Sequence, residues 1–84
     1  MKLYRIYTEN KNLEQIKEIV SKYFAGYTIY RASGFWEKVE EQSIIIEILT
    51  NDQSLILAVA KEIKSYNKQQ VVLVTSSFVC VDSI

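Results

Sequence analysis

The order of hydrophobic periods along this 84-residue chain predicts an α+β sandwich, a four-stranded antiparallel sheet with two helices on one face. Three observations carry that expectation. Runs of alternating side chains occur at the start, twice in the middle and near the end; two stretches of 3.6-residue spacing separate them; and glycine or polar breaks fall at the joins. The resulting order is β-α-β-β-α-β.

Strand one is read from Leu3 to Thr8, where Leu3, Arg5 and Tyr7 alternate with Tyr4, Ile6 and Thr8 in β-favouring types. Asn10 or Asn12 then offers a side-chain oxygen as a helix cap, with Gln15 three positions after Asn12 as in a capping box. Leu13, Ile16, Ile19, Val20, Tyr23 and Phe24 follow at helical spacing. Gly26 stands where a left-handed residue would end that helix, because glycine has no Cβ to clash there.

Tyr27 to Trp36 is rich in aromatic and β-branched residues and is expected to be strand two. Glu37 to Gln42 reads as a polar hairpin break, and Ser43 to Thr50 as strand three. Within strand three Ile44, Ile46 and Ile48 share one face, while Ile45, Glu47 and Leu49 share the other. Both faces are largely apolar, so this strand is central. Asn51 or Asp52 caps a second helix in which Leu55, Val59, Ile63 and Tyr66 repeat, and Asn67 and Lys68 close it. Gln70 to Thr75 is a strong strand, and Phe78 to Val81 reads as its continuation past a bulge or as a short extra C-terminal strand.

Two right-handed crossovers in this order give strand order two-three-one-four, the split β-α-β or ferredoxin-like arrangement. The name describes shape alone, since an iron–sulfur cluster needs several thiolates and the chain has only Cys80. Residues 1–84 are expected to form one ferredoxin-like domain, which at this length buries only roughly 60% of its unfolded surface. Self-association would add burial.

Composition narrows the function classes. Ten basic and ten acidic side chains are spread without blocks, which argues against a nucleic-acid backbone as partner. No signal-peptide pattern and no apolar stretch near roughly 20 residues occurs, so the expectation is a cytoplasmic protein without a membrane partner. The lone Cys80, in an apolar run, reads as a packed structural thiol. With no histidine, Ser-His and Cys-His chemistry is excluded, and no catalytic residue is assigned. Glu37, Glu40 and Glu41 read as a solvated hairpin tip, not a metal loop, and Gly26 and Gly34 stand too far apart for a phosphate cradle. No metal or cofactor is expected.

The aromatic residues are the positive signal. Tyr4, Tyr7, Tyr27, Tyr30, Phe35 and Trp36 fall on the first two strands together with Arg5 and Arg31, residue types that dominate binding hot spots. Arg5, Tyr30, Arg31 and Trp36 are the candidate ligand-binding residues. Strand parity sends Ile29 and Arg31 to the helix-free face, so Glu47 is expected between Arg5 and Arg31 in an opposite-charge ladder. Leu3, Tyr7, Ile45, Glu47 and Leu49 would share that face as the interface of a homo-oligomer, a dimer or trimer.

The element order, the opening Lys2-Leu3-Tyr4-Arg5-Ile6-Tyr7, the segment from Gly26 to Trp36 and the closing Val71-Val72-Leu73-Val74 resemble the PII-like and CutA-like small ferredoxin-fold proteins. That resemblance implies sheets packed into oligomers, commonly trimers, with nucleotides or ions in clefts between subunits. It transfers no ligand residue, because the Glu37–Gln42 connection is short where PII proteins carry a long loop. The leading expectation is a non-enzymatic oligomeric binding module for a small anionic or nucleotide-like ligand at subunit boundaries. The alternatives are a protein-interaction module, such as a viral or mobile-element inhibitor of the sponge type, and a small enzyme that uses tyrosine, arginine and carboxylates without histidine or metal.

Overall fold

The computed structural model describes residues 1–84 and has the expected element order: β1 Lys2–Glu9, α1 Leu13–Tyr23, β2 Thr28–Trp36, β3 Val39–Thr50, α2 Gln53–Tyr66 and β4 Leu73–Phe78. The sheet runs β2-β3-β1-β4 with every neighbouring pair antiparallel, which is the ferredoxin-like arrangement. Ile44, Ile46 and Ile48 of β3 and Tyr4 and Ile6 of β1 face Ile16, Ile19 and Val20 of α1 and Ile56, Val59 and Ile63 of α2. All are buried, and each such side chain contributes about 1.5–3 kcal/mol by leaving water.

Several local expectations change for identifiable reasons. Asn12 adopts a left-handed conformation (φ 58°) and its side chain caps nothing on α1; its amide instead donates to Asn67. No glycine has positive φ, so Gly26 does not end α1. Phe24 does so in an extended conformation that lets its ring pack against the core while its N–H reaches the Val20 carbonyl. In α2 the N-cap is Asp52, whose carboxylate accepts from the Leu55 N–H at 3.1 Å and the Ser54 hydroxyl at 2.6 Å. The buried stripe there is Ile56, Val59, Ala60 and Ile63, leaving Leu55 half-buried and Tyr66 exposed. The i, i+3, i+4, i+7 set starting at Ile56 includes the small Ala60 and ends in line with buried Asn67.

The hairpin departs most. Its turn is two residues, Glu37 (φ 48°) and Lys38 (φ 66°), so β3 starts at Val39 and the polar stretch to Gln42 is strand. Those residues lie past the end of β1, whose last β3 partner is Ser43 opposite Glu9, and no helix covers them; no core demands apolar residues there. The result is a free-standing arm of four residue pairs, Ser33–Gln42 to Trp36–Val39. Ile29 pairs with Ile46 and Arg31 with Ile44, so both face the helices, and Thr28, Tyr30, Ala32, Gly34 and Trp36 take the open face, the reverse of the sequence reading.

At the other edge β4 begins at Leu73, three residues later than expected, because side-chain hydrogen bonds hold residues 67–71 as a loop. No extra strand forms beyond Phe78; the Val79 N–H donates to the Met1 carbonyl, and Cys80 is exposed, not packed.

Two helices are tied across their outer faces. Lys22 Nζ donates to one Glu62 oxygen at 2.6 Å and the Tyr23 hydroxyl donates to the other. Lys22 first, then Tyr23, holds the Glu62 carboxyl below its ordinary pKa, and the hydrogen bond to Glu62 raises both Lys22 and Tyr23. A lowered carboxylate adds stability above its unfolded pKa that is lost as pH falls through its folded value. Raised Lys22 and Tyr23 add stability below their unfolded pKa values that is lost as pH rises through the folded ones. Urea denaturation as a function of pH is therefore expected to show both limbs flattened in Glu62→Gln. In the hairpin, replacing Glu37-Lys38 by Asn-Gly removes side-chain strain from two left-handed residues and is expected to raise stability by about 1 kcal/mol in the same assay.

Candidate functional site

The open face of the sheet is set by the β1–β3 register, which places Leu3 opposite Leu49, Arg5 opposite Glu47 and Tyr7 opposite Ile45. Side chains directly opposite in an antiparallel pair share a face, so all five candidate interface residues lie on the side without helices. Arg5 Nε donates to Glu47 Oε2 at 2.9 Å, and the Tyr30 hydroxyl donates to the same oxygen at 2.9 Å. The Arg5 guanidinium is held above its ordinary pKa first by Tyr30 and then by Glu47. Glu47 thus bridges Arg5 and Tyr30, with Tyr30 in the place expected of Arg31.

The four candidate ligand residues do not converge. Arg5 and Tyr30 meet through Glu47, Arg31 is on the opposite face, and Trp36 lies six residues along β2 from Tyr30, about 20 Å away at strand rise. Glu47 occupies Arg5, so no pair of free guanidinium groups faces one point. The carboxylates of the hairpin also separate: Glu40 pairs with Phe35 on one face and Glu41 with Gly34 on the other.

Trp36 instead belongs to a cleft of about 570 Å³ at the arm end of the sheet, within the usual range for small-molecule sites. One wall is the end of β1 (Tyr7, Thr8, Glu9), another the arm (Gly34, Phe35, Trp36, Glu41, Ser43), and the third the segment Lys68 to Val71 with Leu73. Phe35 and Trp36 are 71% and 75% exposed, unusual for the largest apolar side chains in a strand. Gly34 keeps the floor open, since a Cβ there would stand 2.9 Å from Ser43 Oγ. Glu9, Glu41 and Lys68 are the cleft's charged groups, and none belongs to any of the three ion pairs of the molecule. The cleft therefore carries two carboxylates against one ammonium.

Sequence reading finds Tyr7 and Trp36 but misses Glu9, Gly34, Glu41, Ser43 and the 68–71 wall. The available signal is the Gly34-Phe35-Trp36 run next to Glu41 and Ser43, which becomes a site only once the polar stretch is recognised as strand.

No family model matches the chain. No curated protein matches it either. Among solved structures, it is similar to the nitrogen regulatory PII-like protein CPII from Thiomonas intermedia K12, bound to ADP, AMP and bicarbonate (TM-score 0.70, 18% identity, 99% of this chain and 93% of that one). It is also similar to a phage SAM lyase in the apo state (TM-score 0.73, 18% identity, 90% and 78%). A third similar structure, from Thermus thermophilus, is described as a PII-like signalling protein (TM-score 0.62, 26% identity, 90% and 82%). The resemblance to PII-like proteins holds at the level of the fold.

Proposed function

We propose that the protein is an oligomeric binding module for a small adenosine-bearing ligand, seated in the arm-end cleft at the boundary between copies. The observation that carries this reading is the cleft itself: exposed Trp36 and Phe35 beside unpaired Glu9, Glu41 and Lys68. A nucleobase stacked on such a ring gains about 1–3 kcal/mol. Two of the three ligands named for CPII, ADP and AMP, and the SAM in the name of the phage lyase have adenosine in common, which supports an adenosine-bearing ligand on this fold. The cleft's excess of carboxylate disfavours a polyphosphate and favours adenosine with a positively charged substituent, as in the sulfonium of S-adenosylmethionine (SAM). The anion expected from Arg5 and Arg31 loses its basis once these two stand on opposite faces.

The open face supports the oligomeric part of the reading. Leu3, Tyr7, Ile45 and the 46% exposed Leu49, extended by Tyr30 and Leu73, form an apolar surface with no helix over it. Tyr7 and Leu73 also line the cleft, so a second copy seated on this face would border the ligand. A second, enzymatic reading is favoured by the likeness to the phage SAM lyase together with the unpaired Glu41.

Trp36 is the sole tryptophan, so its fluorescence reports the cleft directly. Titration with SAM, AMP and ADP is expected to give a saturable change, at lower concentration for SAM. Glu41→Gln is expected to weaken SAM about tenfold and AMP much less, as loss of one charge-assisted contact predicts. No response to any of the three ligands refutes the cleft reading; consumption of SAM beyond one equivalent replaces binding with catalysis. By light scattering, the native chain is expected to be a closed oligomer and Leu49→Glu a folded monomer. A monomeric native chain would remove the interface.

A further inference from the structure

The buried polar residues are Thr8 (3% exposed) and Asn67 (1% exposed), and both belong to one hydrogen-bonded chain beside the cleft, since Asn67 Nδ2 also lies 3.5 Å from Gln69 Oε1, the oxygen that accepts from Thr8. Burying a polar group is unfavourable unless it is hydrogen-bonded, and here no buried side-chain polar atom lacks a partner. Asn67 Nδ2 donates to the Lys11 carbonyl at 3.0 Å, and its Oδ1 accepts from Asn12 Nδ2 at 2.9 Å. Its main-chain oxygen accepts from Lys11 Nζ at 3.2 Å. One side chain thus joins the end of α2 to the turn that precedes α1.

The same chain reaches the cleft wall. The Thr8 hydroxyl donates to Gln69 Oε1, Gln69 Nε2 donates to the Val71 carbonyl at 3.3 Å, and the Gln69 N–H donates to the Lys64 carbonyl at 3.0 Å. Between Asn67 and Gln69, Lys68 holds a left-handed conformation (φ 54°), which a residue with a side chain keeps only where its surroundings fix it. Strand pairing does not place residues 68–71 of this wall, because β4 starts at Leu73.

We infer that Asn67 is a positioning residue for the cleft: without lining it, Asn67 sets where Lys68, Gln69 and Gln70 stand, and Thr8 completes the hold. The role rests on the proposed binding function for its affinity readout, whereas the order of the wall can be measured without any ligand.

The test compares Asn67→Asp, which loses the donation to the Lys11 carbonyl, with Thr8→Val, which removes only the hydroxyl and keeps the shape. Thr8→Ser, retaining the hydroxyl, is the rescue. Tyr23→Phe is the control, since it removes a hydrogen bond at the opposite end of α1. Amide hydrogen exchange is expected to accelerate about tenfold at Gln69, the wall amide held by the Lys64 carbonyl, in the first two variants, with β1 and β3 unchanged. SAM affinity, read by Trp36 fluorescence, is expected to fall by a similar factor, and Thr8→Ser to restore both. If Asn67→Asp fails to fold, Thr8→Val decides alone. Wild-type exchange at the wall in the variants overturns the inference, as does an equal effect of Tyr23→Phe, which would make the change one of global stability. Unchanged SAM affinity alongside a loosened wall also overturns it. If the native chain binds none of the adenosine ligands, the binding function fails and the exchange comparison alone decides the positioning role.

Discussion

The register between β1 and β3 fixes most of what surrounds it. Ile44, Ile46 and Ile48 must all reach the helices, and with a two-residue period that demand leaves one parity for β3 and, through pairing, one for each neighbour. A slip of one residue would turn the isoleucines to solvent and Glu47 into the core. The same choice puts Glu47 opposite Arg5, brings Tyr30 into reach and gathers Leu3, Tyr7, Ile45 and Leu49 on the open side. Core packing and surface chemistry are therefore two outcomes of a single alignment.

Polar groups are distributed with the opposite logic on the two ends of the molecule. Next to the cleft, Thr8 and Asn67 are buried and hydrogen-bonded to the irregular backbone and side chains around them. On the outer faces of the helices, Lys22, Tyr23 and Glu62 make short contacts that remain solvated and screened, the kind that tune stability without directing the chain. Between them stands a core with no titratable group except the Tyr4 phenol. The cleft lies where well-ordered backbone meets unpaired charge.

Element order, strand order and the isoleucine faces of β3 are legible in the sequence because burial imposes a strict period on them. The departures fall where burial imposes none. Val39 to Gln42 is polar because the arm meets no core, so strand and loop have the same composition there. Parity along β2 reads backwards from the sequence because each face mixes types, apolar Ile29 with charged Arg31 on one and Tyr30 with Thr28 and Ala32 on the other, so hydrophobicity marks neither; only pairing with Ile44 and Ile46 settles it. Asn12 and Asn67 have the residue types of caps, yet only three-dimensional proximity shows that Asn12 bonds to Asn67 and not to its own helix. For the same reason the cleft, built from three distant segments, is invisible in the sequence apart from its aromatic residues.

The two-residue turn at Glu37-Lys38 sits at the end of an arm that runs past the last residue of β1. Because the entropy of closing a loop grows only slowly with its length, residues added at this tip would cost little and would leave the isoleucine core untouched. The fold thus possesses one position at which an appendage, even a long one, can be acquired next to the cleft without refolding anything else.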